Sequence, residues 1–272
     1  MIEVDQVGDV VRIKLSREDG GRALYWTAVY LLDDVLIDTG CAYTVDDLLG
    51  FLDGRTVRAA VNTHSHEDHV AGNRALQERF GCEVFAHPAA VPVIARVPLL
   101  QPYRELVWGY PEPAVVNPLG PTVETGRFRL EVVDTPGHSQ DHVAFVERDR
   151  GWCFSGDLFV GPRPKAVRPD EDVAAMVRSM ERLAALETGT GDLVLFTGLG
   201  KVVDDGRGAL LECAAYLRDL ARRVRELARS GRTPPEIRDE LFGGESVLDR
   251  LTDGHYSAEN MVRALLASNL HP

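Results

Sequence analysis

The sequence predicts an α/β protein built as two similar halves and followed by a helical extension. Three observations carry the prediction: strand patterns followed by a helix occur twice in succession, histidine- or glycine-containing turns close strands in both halves, and the stretch beyond Gly206 repeats apolar residues at helical spacing.

Taken in order, residues 9–15 and 23–38 alternate apolar and polar positions around Gly20-Gly21, the pattern of a pair of antiparallel strands. The pattern then switches to a short helix over 45–52, a strand over 56–64, a helix over 69–81 ending at Gly81, and a strand over 82–87. Residues 98–121 are proline-rich and carry Tyr103, Trp108 and Tyr110, which predicts an ordered covering loop without a regular element. The second half reads as strands over 127–137, 141–149 and 151–159, a helix over 171–186 and a buried strand over 192–198. Beyond it, Leu210, Ala214, Leu217, Ala221, Val224 and Ala228 recur at spacings of four and three. The expected organisation is a domain over 1–206 and a helical extension over 207–272 packed on it.

Composition narrows the function. The 272 residues include 30 Lys plus Arg against 42 Asp plus Glu, a net charge of −12 that repels polyphosphate backbones, so no nucleic-acid partner is expected. Cys41, Cys82, Cys153 and Cys213 lie far apart and read as reduced thiols. The acidic N-terminal segment lacks the basic-then-apolar order of an export signal, and no stretch approaches the roughly 18 uninterrupted apolar residues of a membrane span. The expected location is cytoplasmic, without a membrane partner. The amphipathic tail offers a surface on which a homodimer would form.

Chemistry concentrates in Asn62-Thr63-His64-Ser65-His66-Glu67-Asp68-His69, which holds three of the chain's eight histidines directly after an apolar strand. Imidazoles and carboxylates are the ligand types that zinc, iron and manganese prefer. His64 and His66 share one side of an extended strand end, whereas Asp68 and His69 begin the next helix and point elsewhere, as a second ion requires. Thr135-Pro136-Gly137-His138 and Ser155-Gly156-Asp157 close two strands of the second half, each setting a ligand-type residue beside small ones. His142 and His87 read as structural on spacing alone.

These blocks, with Ile37-Asp38-Thr39-Gly40, resemble the metallo-β-lactamase superfamily over residues 10–205, with a motif set similar to that of glyoxalase II. The resemblance implies an αββα four-layer sandwich, two mixed β-sheets flanked by helices, with a C-terminal helical appendage. It implies that His64, His66 and His138 bind one metal, that Asp68 and His69 bind a second, and that Asp157 bridges them. Zinc is the first expectation, with iron or manganese as alternatives, and one or two ions per chain. A metal-bound hydroxide would then attack a small ester, thioester, lactone or related acyl substrate. Asp68 would orient the water or shuttle its proton, and Asp38 would hold ligands in place by hydrogen bonding.

One departure stands out. The family's last ligand is a histidine in a Gly-His turn, and here the turn reads Thr197-Gly198-Leu199-Gly200. His255 in the tail is the candidate substitute, and a single metal becomes an alternative. Tyr103, Trp108 and Tyr110 are candidate pocket walls; Arg163, Lys165 and Arg168 are candidate contacts for an anionic small-molecule substrate. The arginine stripe 218, 222, 225, 229 and 232 reads as a solvated flank of the tail helix. Two rival functions remain: a mononuclear iron oxidoreductase similar to the persulfide dioxygenases, and a non-catalytic member that binds a partner.

Overall fold

The computed structural model describes residues 1–270, so the last two positions of the expected helical extension lie outside the described residues. In chain order the elements are β1 (Ile2–Val7), β2 (Val10–Leu15), β3 (Glu18–Asp19), β4 (Arg22–Ala23), β5 (Thr27–Leu32), β6 (Val35–Ile37), α1 (Val45–Leu52), β7 (Ala59–Val61), α2 (Glu67–Val70), α3 (Asn73–Phe80), β8 (Glu83–Ala86), α4 (Val91–Ile94), α5 (Pro102–Trp108) and β9 (Asn117–Pro118). They continue with β10 (Thr122–Glu124), β11 (Arg129–Asp134), β12 (Val143–Glu147), β13 (Trp152–Gly156), α6 (Val173–Ala184), β14 (Val194–Thr197), β15 (Val202–Val203), α7 (Gly206–Arg229), α8 (Pro234–Phe242), α9 (Val247–Leu251) and α10 (Ala258–Ala267).

The chain divides into two compact units. The first comprises Met1–Asp134, Asp141–Asp157 and Glu187–Asp204; the second comprises Thr135–Gln140, Leu158–Leu186 and the chain from Asp205 onward. The expected boundary after residue 206 lies close to the last of these crossings, while residues 135–140 and 158–186 group with the C-terminal helices.

The first unit holds a seven-stranded sheet in the order β1-β2-β5-β6-β7-β8-β9 and a six-stranded sheet in the order β10-β11-β12-β13-β14-β15. β5 and β6 are buried along their whole length because both faces of the first sheet are covered. On one face Ile13, Val29 and Leu36 pack with Leu48 and Leu52 of α1 and Leu76 of α3. On the other, Tyr30, Leu32 and Ile37 pack with Leu130, Phe145, Phe154 and Phe196 of the second sheet. The residues that alternate in the sequence thus serve two cores.

Pairing changes from antiparallel between β5 and β6 to parallel through β6, β7 and β8, and β13 and β14 are also parallel. Crossovers between parallel strands leave the carboxyl ends of the strands open to ligands. Asp38 follows β6, Asn62 to His66 follow β7, Asp157 follows β13 and Gly198 follows β14.

Three expectations need correction. The first forty residues form more than one strand pair, because Gly8 turns β1 onto β2 and Gly20-Gly21 turns the short β3 onto β4. The expected helix over 69–81 is broken into α2 and α3 at Ala71 and Gly72, where a side chain on Gly72 would lie 2.5 Å from the Thr39 carbonyl oxygen. The covering segment 98–121 contains a regular helix after all, since Pro102 occupies the first turn of α5, where no amide hydrogen is needed, and Gly109 ends it.

In the second unit α6 and α7 pack together, and Arg218 of α7 pairs with Glu181 of α6 at 2.8 Å. Arg222 reaches Asp219 and Glu226, so these members of the arginine stripe are neutralised by carboxylates of the same unit. Among the described residues no helix is long and apolar enough to cross a membrane.

Candidate metal centre

The histidine segment is held by hydrogen bonds that follow from its sequence. Asn62 and Asn73 are fully buried and exchange side-chain amide bonds, and Asn62 Nδ2 also donates to the His69 carbonyl oxygen at 3.2 Å. The Thr39 hydroxyl donates to the same carbonyl at 3.1 Å. These bonds tie the start of α2 to the ends of β6 and β7.

Asp38 organises the imidazoles. It is buried, and it adopts a left-handed backbone conformation (φ 62°) that aspartate tolerates better than most residues. Its Oδ1 accepts from the Thr63 amide at 2.7 Å, and its Oδ2 accepts from the Thr63 hydroxyl at 2.8 Å and faces His69 Nδ1 at 2.8 Å. An ionised carboxylate only accepts, so the proton of His69 sits on Nδ1 and the lone pair on Nε2. The Thr63 hydroxyl, having donated to Asp38, accepts from His64 Nδ1 at 3.0 Å. Asp38 therefore sets His69 directly and His64 through Thr63, leaving the Nε2 lone pair of each for a ligand.

Those nitrogens converge with a carboxylate. His64, His69 and Asp157 each offer one ligand atom, all within 4.8 Å of one another. His69 Nε2 is buried without a hydrogen bond, 3.6 Å from Asp68 Oδ2 and 3.6 Å from Asp157 Oδ1. A buried nitrogen lone pair facing carboxylates at that separation is a donor set suited to a divalent cation. His66 caps the N-terminal end of α2, partly exposed, with its ring edge-on to that of His64 at 4.5 Å. Burial pushes the Asp68 carboxyl up to about 6, against the pull of His69. Burial would lower His69, but Asp68, Asp38 and Asp157 outweigh it and raise its basicity, so that Nε2 is a strong base for either a proton or a metal cation.

Glycine makes the centre compact. A side chain at Gly198 would stand 2.0 Å from Asp157 Oδ1 and 3.1 Å from His69 Cε1, so the turn bearing Leu199 runs directly against this pair. Leu199 itself is half-buried and offers no ligand atom. We expect Leu199→His to raise metal content per chain on elemental analysis; an unchanged content would mean that the backbone directs position 199 away from the pair.

Other candidates are placed as follows. His142, read as structural from its spacing, accepts from the Asp157 amide through Nε2 at 3.2 Å and so positions that carboxylate. Ser65 N–H donates to Asp141 at 2.9 Å. Tyr103 and Trp108 lie on α5, half-buried, with rings 6.2 Å apart, and Tyr25 meets Trp108 edge-on at 5.5 Å; Tyr110 is exposed. In the second unit, Arg163 is exposed beside Glu212 at 3.5 Å and Lys165 is exposed. Arg168, a candidate substrate contact from the sequence, is buried against His138 and Glu171. His255 sits in a turn where its amide donates to the Thr252 carbonyl at 3.1 Å, and among the described residues it joins no ligand cluster.

Sequence reasoning missed two pairs. Glu67, buried next to Asp68, forms a two-pronged ion pair with Arg104 of α5 at 2.7 and 2.5 Å. Glu171 lies 3.1 Å from His138 Nδ1. The partners stand 37 and 33 positions apart in the chain, beyond the reach of any local pattern.

A mixed α/β fold whose strand ends gather buried imidazoles and carboxylates defines a class of metal-binding proteins. The family model of the Metallo-beta-lactamase superfamily matches residues 27–203, and the chain belongs to that superfamily. A beta-lactamase domain protein from Burkholderia ambifaria shares the fold, with a TM-score of 0.71 and 21% identity over 98% of this chain and 90% of that one. The expected αββα fold class is borne out by this likeness. The protein TTHA1623, solved in a di-iron-bound form, is 27% identical with a TM-score of 0.54, over 69% of this chain and 94% of its own. A hydroxyacylglutathione hydrolase from Thiobacillus denitrificans is 34% identical over 138 residues, 50% of this chain and 46% of the relative. The chain spans less than two thirds of the length of the curated relatives it matches.

Proposed function

We propose that the protein is a metal-dependent hydrolase of small acyl compounds, with thioesters of the hydroxyacylglutathione class as first candidates. The convergence of His64, His69 and Asp157, with both imidazoles set by Asp38, carries the reading. The curated relative supplies the thioester class.

In this reading His64, His66, His138, Asp68, His69 and Asp157 would hold one or two ions. When bound there, a divalent ion would supply acidification of water and polarisation of an acyl oxygen. Zinc is the first candidate; the di-iron form of TTHA1623 keeps iron beside it. Asp68, buried next to His69, takes a proton from the attacking water and returns it to the departing thiolate, so that cleavage of the C–S bond yields a carboxylic acid and a free thiol. Asp38 and His142 do not touch substrate; they hold His69, His64 and Asp157 in register. The Tyr25, Trp108 and Tyr103 rings are the candidates to wall the acyl or thiol portion. All four cysteines are buried free thiols, which supports a reducing, cytoplasmic location.

The test is thiol release from S-acylglutathiones by metal-loaded protein. His66→Ala is expected to lower kcat/KM by at least about a hundredfold and to reduce bound metal, since a ligand is lost. Undiminished turnover in that variant, or full activity in excess chelator, would contradict the metal-dependent mechanism.

A further inference from the structure

Trp108 of α5 stands at the centre of an aromatic cluster. Tyr25 meets its ring edge-on at 5.5 Å with an interplanar angle of 89°, and Tyr103 meets it at 6.2 Å and 65°. Aromatic pairs at these separations and angles attract through their ring quadrupoles as well as through burial. The indole nitrogen is buried and makes no hydrogen bond among the described residues, so ring contacts set its place and no polar bond does. The cluster is nevertheless incomplete: Tyr25 keeps 42% of its surface exposed, and Tyr103 and Trp108 are only half-buried.

Two sets of bonds tie this cluster to α2. Arg104 stands four positions before Trp108, on the same face of α5, and its guanidinium is bonded twice to Glu67, the residue before Asp68. The segment after β6 makes the second link. There the Thr39 amide donates to the His69 carbonyl at 2.8 Å and the Ala71 amide donates to the Gly40 carbonyl at 3.1 Å, while the Tyr43 hydroxyl donates to the Glu105 carbonyl of α5 at 3.0 Å. Tyr25 is fixed at the base of the β3–β4 hairpin, where its amide donates to the Ser16 hydroxyl at 3.1 Å and the Leu24 amide donates to the Arg17 carbonyl at 3.0 Å.

The two arginines of this region are engaged elsewhere. Arg104 is paired with Glu67, and Arg17 lies over the Tyr43 ring at 4.2 Å and donates to the Leu106 carbonyl. The three rings therefore present a neutral, apolar surface beside the helix that carries Asp68 and His69. We propose that Tyr25, Tyr103 and Trp108 are specificity-determining residues that receive an aromatic acyl group, of the phenylacetyl or benzoyl kind, from the substrate. This rests on the reading of the protein as a hydrolase of acyl compounds. A fourth ring adds edge-to-face contacts to the area it buries, whereas a straight alkyl chain gains burial alone. The peptide part of a glutathione thioester carries carboxylates and an ammonium group, which would lose hydration against such a wall and find no ion pair in return, so the acyl end is the one that fits.

The test compares S-phenylacetyl-, S-hexanoyl- and S-acetylglutathione as substrates of the metal-loaded full chain, since they share one leaving group and differ only in the acyl part. The parent is expected to prefer the phenylacetyl over the hexanoyl thioester by about tenfold in kcat/KM, the scale of two ring contacts. Tyr25→Leu keeps apolar bulk but removes the ring, and is expected to bring that ratio below about threefold, through KM rather than kcat. Trp108→Leu is expected to abolish the preference. Tyr25 is exposed, so its replacement opens no cavity, and that variant decides the matter if Trp108→Leu does not fold. Titration calorimetry of phenylacetate, hexanoate and acetate on the same proteins gives a readout that needs no turnover.

A preference for the phenylacetyl group that Tyr25→Leu removes, in turnover and in binding, supports the proposal. Hydrolysis of the phenylacetyl and hexanoyl thioesters with equal kcat/KM, or a preference that survives intact in Tyr25→Leu, overturns it while leaving the acyl-hydrolase reading in place. Tyr25-dependent selection of phenylacetate over hexanoate without hydrolysis of any thioester supports the aromatic site and overturns the reaction instead.

Discussion

Replacing Asp38 by alanine is expected to weaken metal binding by about ten- to a hundredfold and to cost about 3 kcal/mol of stability. The stability loss comes from the buried Thr63 amide, which Asp38 satisfies at 2.7 Å and which loses that partner once the carboxylate is gone. The affinity loss comes from the imidazoles, since the same carboxylate fixes His69 directly and His64 through the Thr63 hydroxyl. Asp38→Asn separates the two effects. An asparagine can still accept from the Thr63 amide through its oxygen, but its NH₂ group then faces His69 Nδ1 and favours the opposite tautomer. Denaturant unfolding should show Asp38→Asn close to the parent in stability, while chelator competition shows it close to Asp38→Ala in affinity. Equal metal affinity in all three proteins would mean that Asp38 does not organise the centre.

The second large effect is expected at Glu67. Its carboxylate and the Arg104 guanidinium are both buried and doubly bonded, so Glu67→Ala leaves an uncompensated cation inside the protein, at a cost of about 3–5 kcal/mol. Replacing both partners, as in Glu67→Leu with Arg104→Met, removes the orphan and should recover most of that stability. The pair joins α2, whose residues include Asp68 and His69, to α5, whose residues include Tyr103 and Trp108. The single variant should therefore also raise KM, whereas the double variant should recover stability without fully recovering KM. A double variant as unstable as the single one would show that the charge pair is not the source of the loss.

The fold was legible wherever hydrophobic period and chain order agree. β2, β5, β11, β12, β13, β14 and α7 lie where alternation or helical spacing places them, because each buries a face against one of two cores. The segment over 98–121 misled because proline was read as a breaker, when Pro102 stands in the first turn of a helix and costs that helix no hydrogen bond. The histidine segment and the Asp157 turn were legible as metal-ligand types in a dense local pattern. Their support was only partly so: Asp38 followed from the family resemblance, but the path through Thr63 to His64 depends on a hydroxyl whose direction only the packed structure reveals. Glu67 with Arg104, and Glu171 with His138, were illegible because each pair is made by tertiary contact between residues that look like ordinary surface charges in the sequence. Arg168 shows the same limit, since the burial of a basic residue in a loop after a ligand-type residue is not visible in the sequence.

The measurement that bears most directly on the account is elemental analysis of the full chain after loading with zinc, iron or manganese and exhaustive dialysis, run beside His64→Ala. The account predicts one or two divalent ions per chain in the parent and a clear loss in the variant, because His64 belongs to the cluster completed by His69 and Asp157. A parent chain that retains no ion, or a variant that retains as much as the parent, would contradict it.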